Sequence, residues 1–180
     1  MTFSHRQQHN TVHSQSSQSQ QQFPLQSKIG KNTNEHKTRK VNRKPYKVLD
    51  APNLQDDFYL NLLDWSDRNQ IAVALDNSLY LWSGCSSEVT RLYTCSHPSD
   101  YLCSVSFGQH STLAVGNTQG QVKLFDMAKQ KKTHCFQGHY GRVGSLDWCN
   151  GLLASGSRDG NVAIWDPRVG QVGSYKAHSQ

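Results

Sequence analysis

The chain has 180 residues, with 19 Lys plus Arg against 13 Asp plus Glu, and the basic excess is unevenly placed. Residues 1–47 hold nine basic side chains and one acid, Glu35, whereas residues 48–180 hold ten basic and twelve acidic ones. The attraction of basic proteins for phosphates therefore concerns only the first part, no run approaches the roughly 18 apolar residues of a membrane span, and the polar start lacks the apolar core of a signal peptide, so a soluble intracellular protein without membrane contact is expected.

Residues 1–28 are dominated by Gln and Ser, with the run Ser14 to Gln22 at their centre. Such a stretch buries too little apolar surface to offset the entropy of ordering it. From Lys28 to Lys47 the chain turns basic while staying polar, and residues 1–45 are expected to be a disordered tail. The basic stretch carries few aromatic groups beyond Tyr46 for stacking on bases. A solvated or nuclear-targeting role is expected there rather than a nucleic-acid contact.

After Tyr46 the texture changes to short apolar runs that repeat. Asp64-Trp65, Ser106-Phe107 and Asp147-Trp148 each end a first run, their aromatics 42 and 41 residues apart. A second run follows in each unit: Ile71 to Leu75, Leu113 to Gly116, and Leu152 to Gly156. Turn signals come next, at Asp76-Asn77, Thr118-Gln119-Gly120 and Arg158-Asp159-Gly160. Third strands then carry Leu81-Trp82-Ser83, Leu124-Phe125-Asp126 and Ile164-Trp165-Asp166, and fourth strands lie around Thr90 to Tyr93, Lys132 to Phe136 and Gln171 to Tyr175. Within each unit the two aromatics are 17, 18 and 17 residues apart. Four strands per period of about 40 residues are the blade of a WD-repeat β-propeller. The expected fold is all-β: residues 46–180 form an incomplete propeller of three four-stranded blades, at about 55–96, 97–137 and 138–180.

The third unit carries the fullest pattern, with Gly138-His139 before it, Trp165-Asp166 closing its third strand, and Ala177-His178 after it. Resemblance to WD repeats implies a hydrogen-bond chain within the blade through His139, Ser155 or Ser157, Asp159 and Trp165. A buried imidazole and indole N–H each need such a partner. Ser, His and Asp together also invite a catalytic reading, but the repeat spacing already accounts for them, and a triad is defined by geometry. No phosphate loop, paired-carboxylate site or metal motif stands out, so no enzymatic activity, catalytic residue or cofactor is expected. The five cysteines, Cys85, Cys95, Cys103, Cys135 and Cys149, lack the close spacing of zinc ligands. No metal site is expected, and most of the thiols are expected to be small buried hydrophobes in a reducing compartment.

One stretch is more particular than a WD repeat demands: Lys47-Val48-Leu49-Asp50-Ala51-Pro52, then Asp56-Asp57-Phe58-Tyr59-Leu60-Asn61-Leu62 and Asp64-Trp65-Ser66. It resembles the Fizzy and Fizzy-related family, substrate-recruiting coactivators of the anaphase-promoting complex, a cell-cycle ubiquitin ligase. The likeness continues through Val73 to Trp82, Leu113 to Gly116, Arg142 to Leu146 and Ser155 to Arg158, covering residues 45–168 or so. Val73 to Trp82 looks more like the Fizzy branch and Asp56-Asp57-Phe58 more like Fizzy-related, so the branch stays open.

The resemblance implies a protein of nucleus and cytoplasm whose partners are subunits of that complex and degron-bearing substrates. Leu49 and Asp50 would supply part of a pocket for the destruction box, whose Arg a carboxylate can hold by charge-assisted hydrogen bonds. Asp50 before Ala51-Pro52 also suits a plain entry turn. Asp57, Phe58 and Tyr80 would meet the lysine of the Lys-Glu-Asn degron by salt bridge and cation–π contact, although Tyr80 equally suits a packing position in a strand.

The family also carries an Asp-Arg-(Phe/Tyr)-Ile-Pro box before the propeller and an Ile-Arg end after seven blades, and neither occurs in these 180 residues. Three blades alone are expected to leave apolar end faces open. The alternatives for such a chain are a fragment, a product that pairs with another subunit, or an unstable remnant, and the functional alternative to a coactivator is a truncated or degenerate paralogue acting as a non-activating protein-binding scaffold.

Overall fold

A computed structural model describes residues 39–179. The tail expected at residues 1–45 lies outside this range up to residue 38, and residues 39–45 are exposed without helix or strand. From Lys47 onward the chain forms one compact unit.

That unit has twelve strands in three antiparallel sheets, each in sequence order. The first blade contains β1 (Leu63–Trp65), β2 (Gln70–Leu75), β3 (Ser78–Ser83) and β4 (Val89–Thr94). The second contains β5 (Leu102–Phe107), β6 (Thr112–Asn117), β7 (Gln121–Asp126) and β8 (Lys131–Gln137). The third contains β9 (Val143–Cys149), β10 (Leu152–Ser157), β11 (Asn161–Asp166) and β12 (Gly170–Lys176). All twelve strands fall on the runs that the repeat pattern predicts. Turn chemistry fixes the registers: Asp76 closes the β2–β3 hairpin at φ +55°, and Gly120 and Gly160 end the equivalent turns at +76° and +82°, values that favour Gly and short polar residues. The register shifts by a bulge between the third and fourth strands of every blade, which adds twist to the outer edge.

The blades stack through two apolar seams. Between the first and second, Ala72, Ala74, Leu79 and Leu81 pack against Val105, Leu113, Val115 and Phe125, with Tyr93 tilted on Phe125 at 5.4 Å. Between the second and third, Ala114, Val122 and Leu124 meet Val143, Leu146, Leu153, Ala163 and Trp165, and Phe136 stacks on Trp165 at 5.0 Å. The middle blade is thus covered on both faces, and β6 is an almost unbroken buried run, whereas β2 alternates buried and half-buried positions. Gly116 sits where a Cβ would lie 2.6 Å from the Val143 carbonyl, so its lack of a side chain permits the close approach of two blades.

The innermost strands are also tied by polar contacts. Asn61 bridges in parallel to Ser104, and the Phe107 N–H donates to Asp64 Oδ2 at 2.6 Å. Ser104 Oγ donates to the Val143 carbonyl at 2.7 Å, and Trp148 Nε1 to the Ser106 carbonyl at 3.2 Å. Hydrogen bonds to groups that are otherwise buried fix how each blade sits on the next.

The cysteines divide differently from expectation. Cys95 and Cys103 are buried, but Cys85, Cys135 and Cys149 are exposed. The physical reason is position: Cys85 follows β3 in a turn, Cys135 lies on an outermost strand, and Cys149 ends β9 at a hairpin. Burial pushes the Cys95 and Cys103 thiols up to about 11.

Candidate functional site

One end of the blades, here called the upper face, carries the segments that lead into β1, β5 and β9 together with the turns between second and third strands. Backbone hydrogen bonds from Thr118 to Tyr101 (2.9 Å) and from Arg158 to Arg142 (3.0 Å) tie these two sets of loops to each other.

In the third blade this tie is reinforced from below. Trp165 Nε1 donates to Ser155 Oγ at 2.7 Å, Ser155 Oγ lies 2.7 Å from His139 Nε2, and His139 Nδ1 faces Asp159 Oδ2 across 3.5 Å. Asp159 then accepts the backbone N–H of Tyr140 at 2.7 Å and of Asn161 at 2.9 Å. Ser155 is therefore the serine of the chain. Ser157 instead bonds the Gly141 carbonyl and the Asp159 N–H. Burial holds the His139 imidazole below the ordinary histidine value, against the opposing pull of Asp159. Burial pushes Asp159 the other way, but the Tyr140 and Asn161 amides outweigh it and keep this carboxyl below the usual range. The imidazole has no open approach, since His139 is 3% exposed, and the group works as an internal brace.

The other two blades do not repeat the brace. Val73 and Val115 stand at the register position of Ser155, and Phe125 replaces the tryptophan in the second blade. There Asp100 takes over the tie: it accepts Asn117 Nδ2 at 2.8 Å and Thr118 Oγ1 at 3.0 Å, with buried Lys123 3.9 Å away. In the first blade Trp82 keeps its indole, and among the described residues its buried Nε1 has no hydrogen-bond partner. Lys47 Nζ lies over that ring at 5.2 Å.

The proposed ligand-facing residues separate into two groups. Leu49 and Asp50, both exposed, follow Lys47 in the extended lead-in alongside the first blade. Asp57 and Phe58 lie further on, in the loop entering β1, where Phe58 is 95% exposed and meets Tyr59 edge-on at 5.6 Å. Tyr80 is half-buried within β3, paired with Val73. Among the described residues no hydrogen bond or ring contact joins it to Asp57 or Phe58.

Asp57 has different company. Its Oδ1 accepts the Tyr59 N–H at 2.9 Å, and its Oδ2 accepts Arg142 Nη1 at 3.0 Å. The same guanidinium lies 5.6 Å from the centroid of the Tyr59 ring. The Tyr59 amide holds the Asp57 carboxyl below the usual range, with burial opposing and Arg142 assisting. Arg142 and Tyr59 were not assigned a role from sequence, because 85 residues separate the paired charges and no local spacing signals such a contact. The resulting surface offers a carboxylate, a guanidinium and two open aromatic rings. Such groups can hold a charged side chain by salt bridge and cation–π contact.

Comparison with known proteins places these features. Residues 130–166 match the family described as WD domain, G-beta repeat. This match runs from β8 of the second blade through β11 of the third, so the sequence repeat straddles two sheets. The chain is 54% identical over 132 residues to the B-type cell cycle switch protein ccs52A of Medicago truncatula, covering 73% of this chain and 28% of that protein. It is 51% identical over 131 residues to Protein FIZZY-RELATED 2 of Arabidopsis thaliana, covering 72% and 27%. With the anaphase-promoting complex subunit cdc20 of Dictyostelium discoideum it shares 41% over 145 residues, covering 79% and 29%. The chain thus spans under a third of the length of these relatives. Among solved structures, a chain of the mitotic checkpoint complex superposes with a TM-score of 0.74 at 41% identity, over 79% of this chain and 46% of that one. Strand order, repeat spacing and these likenesses together make the chain a WD-repeat propeller segment of the Fizzy and Fizzy-related family.

Proposed function

We propose that this chain carries part of the substrate-recruiting surface of an anaphase-promoting complex coactivator, acting in nucleus and cytoplasm by docking degron peptides and without chemistry of its own. The observation that carries this reading is the loop at Asp57 to Tyr59. A half-open carboxylate, its Oδ1 held by the Tyr59 amide, sits there beside two exposed aromatic rings. Solvent-exposed large aromatics held by fixed backbone are what peptide anchors require. The relatives named as cell cycle switch, Fizzy-related and anaphase-promoting complex proteins support the same assignment. Leu49 and Asp50, on a separate stretch, are the contribution to a destruction-box pocket.

The test is a pair of fluorescence anisotropy titrations, one with a destruction-box peptide and one with a Lys-Glu-Asn peptide. Asp50→Ala should weaken the first and spare the second, and Asp57→Asn should do the reverse. Binding of both peptides unaltered by both substitutions would remove these residues from the docking surface.

A further inference from the structure

The following rests on the docking reading above. Asp57 is the carboxylate that a ligand's cation would meet, and it is already engaged by a cation of this chain. Arg142 Nη1 donates to Oδ2 at 3.0 Å while the guanidinium lies 5.6 Å from the centre of the Tyr59 ring. A carboxylate and an aromatic face are the two components of a basic side-chain subsite, and here both are turned on one guanidinium. Arg142 is not required to aim the carboxylate, because Oδ1 is fixed independently by the Tyr59 amide. Nor is the pair sealed: the Arg142 side chain remains 26% exposed and that of Asp57 34%, so the arginine can swing into water. A partly exposed ion pair of this kind is weak. Phe58, almost wholly exposed and edge-on to Tyr59, extends the aromatic wall where the aliphatic stem of an incoming side chain would lie.

We propose that Arg142 is a resident cation standing where the basic side chain of a peptide ligand binds, and that it sets selectivity by making every ligand cation compete with it. A ligand gains from Asp57 only the difference between its own contact and the one Arg142 gives up. Single weakly placed lysines are thereby rejected, while peptides that add contacts along Phe58 and Tyr59 are retained. Removing the competitor should therefore strengthen binding, whereas an arginine that merely positioned Asp57 would weaken binding when removed.

The experiment compares a Lys-Glu-Asn peptide with its norleucine counterpart on the full chain, by anisotropy, for wild type, Arg142→Gln and Arg142→Lys. Arg142→Gln should bind the lysine peptide about two- to fivefold more tightly and leave the norleucine peptide unchanged. Arg142→Lys, which keeps a competing charge, should behave as wild type. Arg142→Met, which keeps the stem against Tyr59, carries the same expectation as Arg142→Gln and guards against a folding defect, with tryptophan emission reporting the blades. Lysine-peptide affinity equal to or below wild type in both neutral variants would overturn the inference while leaving the docking reading standing. Failure of wild type to bind either this peptide or the destruction-box peptide would overturn the docking reading, and the inference with it.

Discussion

Trp165 reaches Ser155 through its indole N–H at 2.7 Å, and both residues are buried within the third blade. The serine hydroxyl joins an indole to an imidazole that have no water to turn to. Ser155→Ala would leave Trp165 Nε1 and His139 Nε2 without partners in the interior, at a cost of about 2–4 kcal/mol. Urea unfolding followed by tryptophan emission would measure it, and a loss under roughly 0.5 kcal/mol would show that the brace is not a unit.

The first blade offers the converse experiment. Val73 occupies the register position of Ser155 relative to the tryptophan, and buried Trp82 Nε1 has no partner among the described residues. Val73→Ser should supply an acceptor that Val73→Ala cannot, so the serine variant should be the more stable of the two by about 1 kcal/mol. Equal unfolding midpoints would mean that the indole of Trp82 cannot be reached from β2.

Acid should act on the third blade through His139. Its folded-state pKa lies below the ordinary value of 6.5 because burial disfavours the imidazolium. As pH falls below that value the unfolded chain takes up a proton that the folded chain refuses, so stability drops until the lowered folded-state pKa is passed. The depressed pKa of Asp159 acts in a lower window, its contribution being lost only as pH falls below the ordinary 3.8. Unfolding free energies between about pH 7 and pH 5 should decline in wild type more steeply than in His139→Gln. Parallel profiles would place the titration elsewhere.

Thiol chemistry gives a direct check on the arrangement of the blades. Three cysteines, Cys85, Cys135 and Cys149, are exposed, while Cys95 and Cys103 are buried with thiols raised to about 11. An aromatic disulfide reagent at neutral pH should titrate three thiols promptly and the other two only after denaturation. Prompt reaction of all five would mean that the seams do not exclude reagent.

The sequence made the blades easy to read because their signal is local. Alternation gives the strand, Asp76 or Gly120 gives the turn, and a tryptophan or phenylalanine marks the third strand, all within about 20 residues of one another. The brace of the third blade was legible for the same reason, apart from the choice between Ser155 and Ser157. Ser155 and Ser157 share one face of the strand, so that choice depended on which of them lies nearer the indole, and Trp165 pairs with Leu153, two residues from Ser155 and four from Ser157. The company of Asp57 was not legible. Its partner Arg142 is brought near only by stacking one blade on another, so no window of sequence contains both. Tyr80, given its role only by resemblance and equally suited to packing in a strand, lies half-buried inside β3 opposite Val73. The cysteines show the limit of composition, since a thiol follows whichever strand or turn holds it.

The offset between repeat and sheet has a genealogical meaning. Residues 130–166 supply the outer strand of one blade and the three inner strands of the next. Duplication of such a unit therefore never adds a freestanding sheet: each new copy completes its predecessor and leaves its own last position to be filled by its successor. Loss of the one copy at residues 130–166 would open two blades at once, since its strands belong to both.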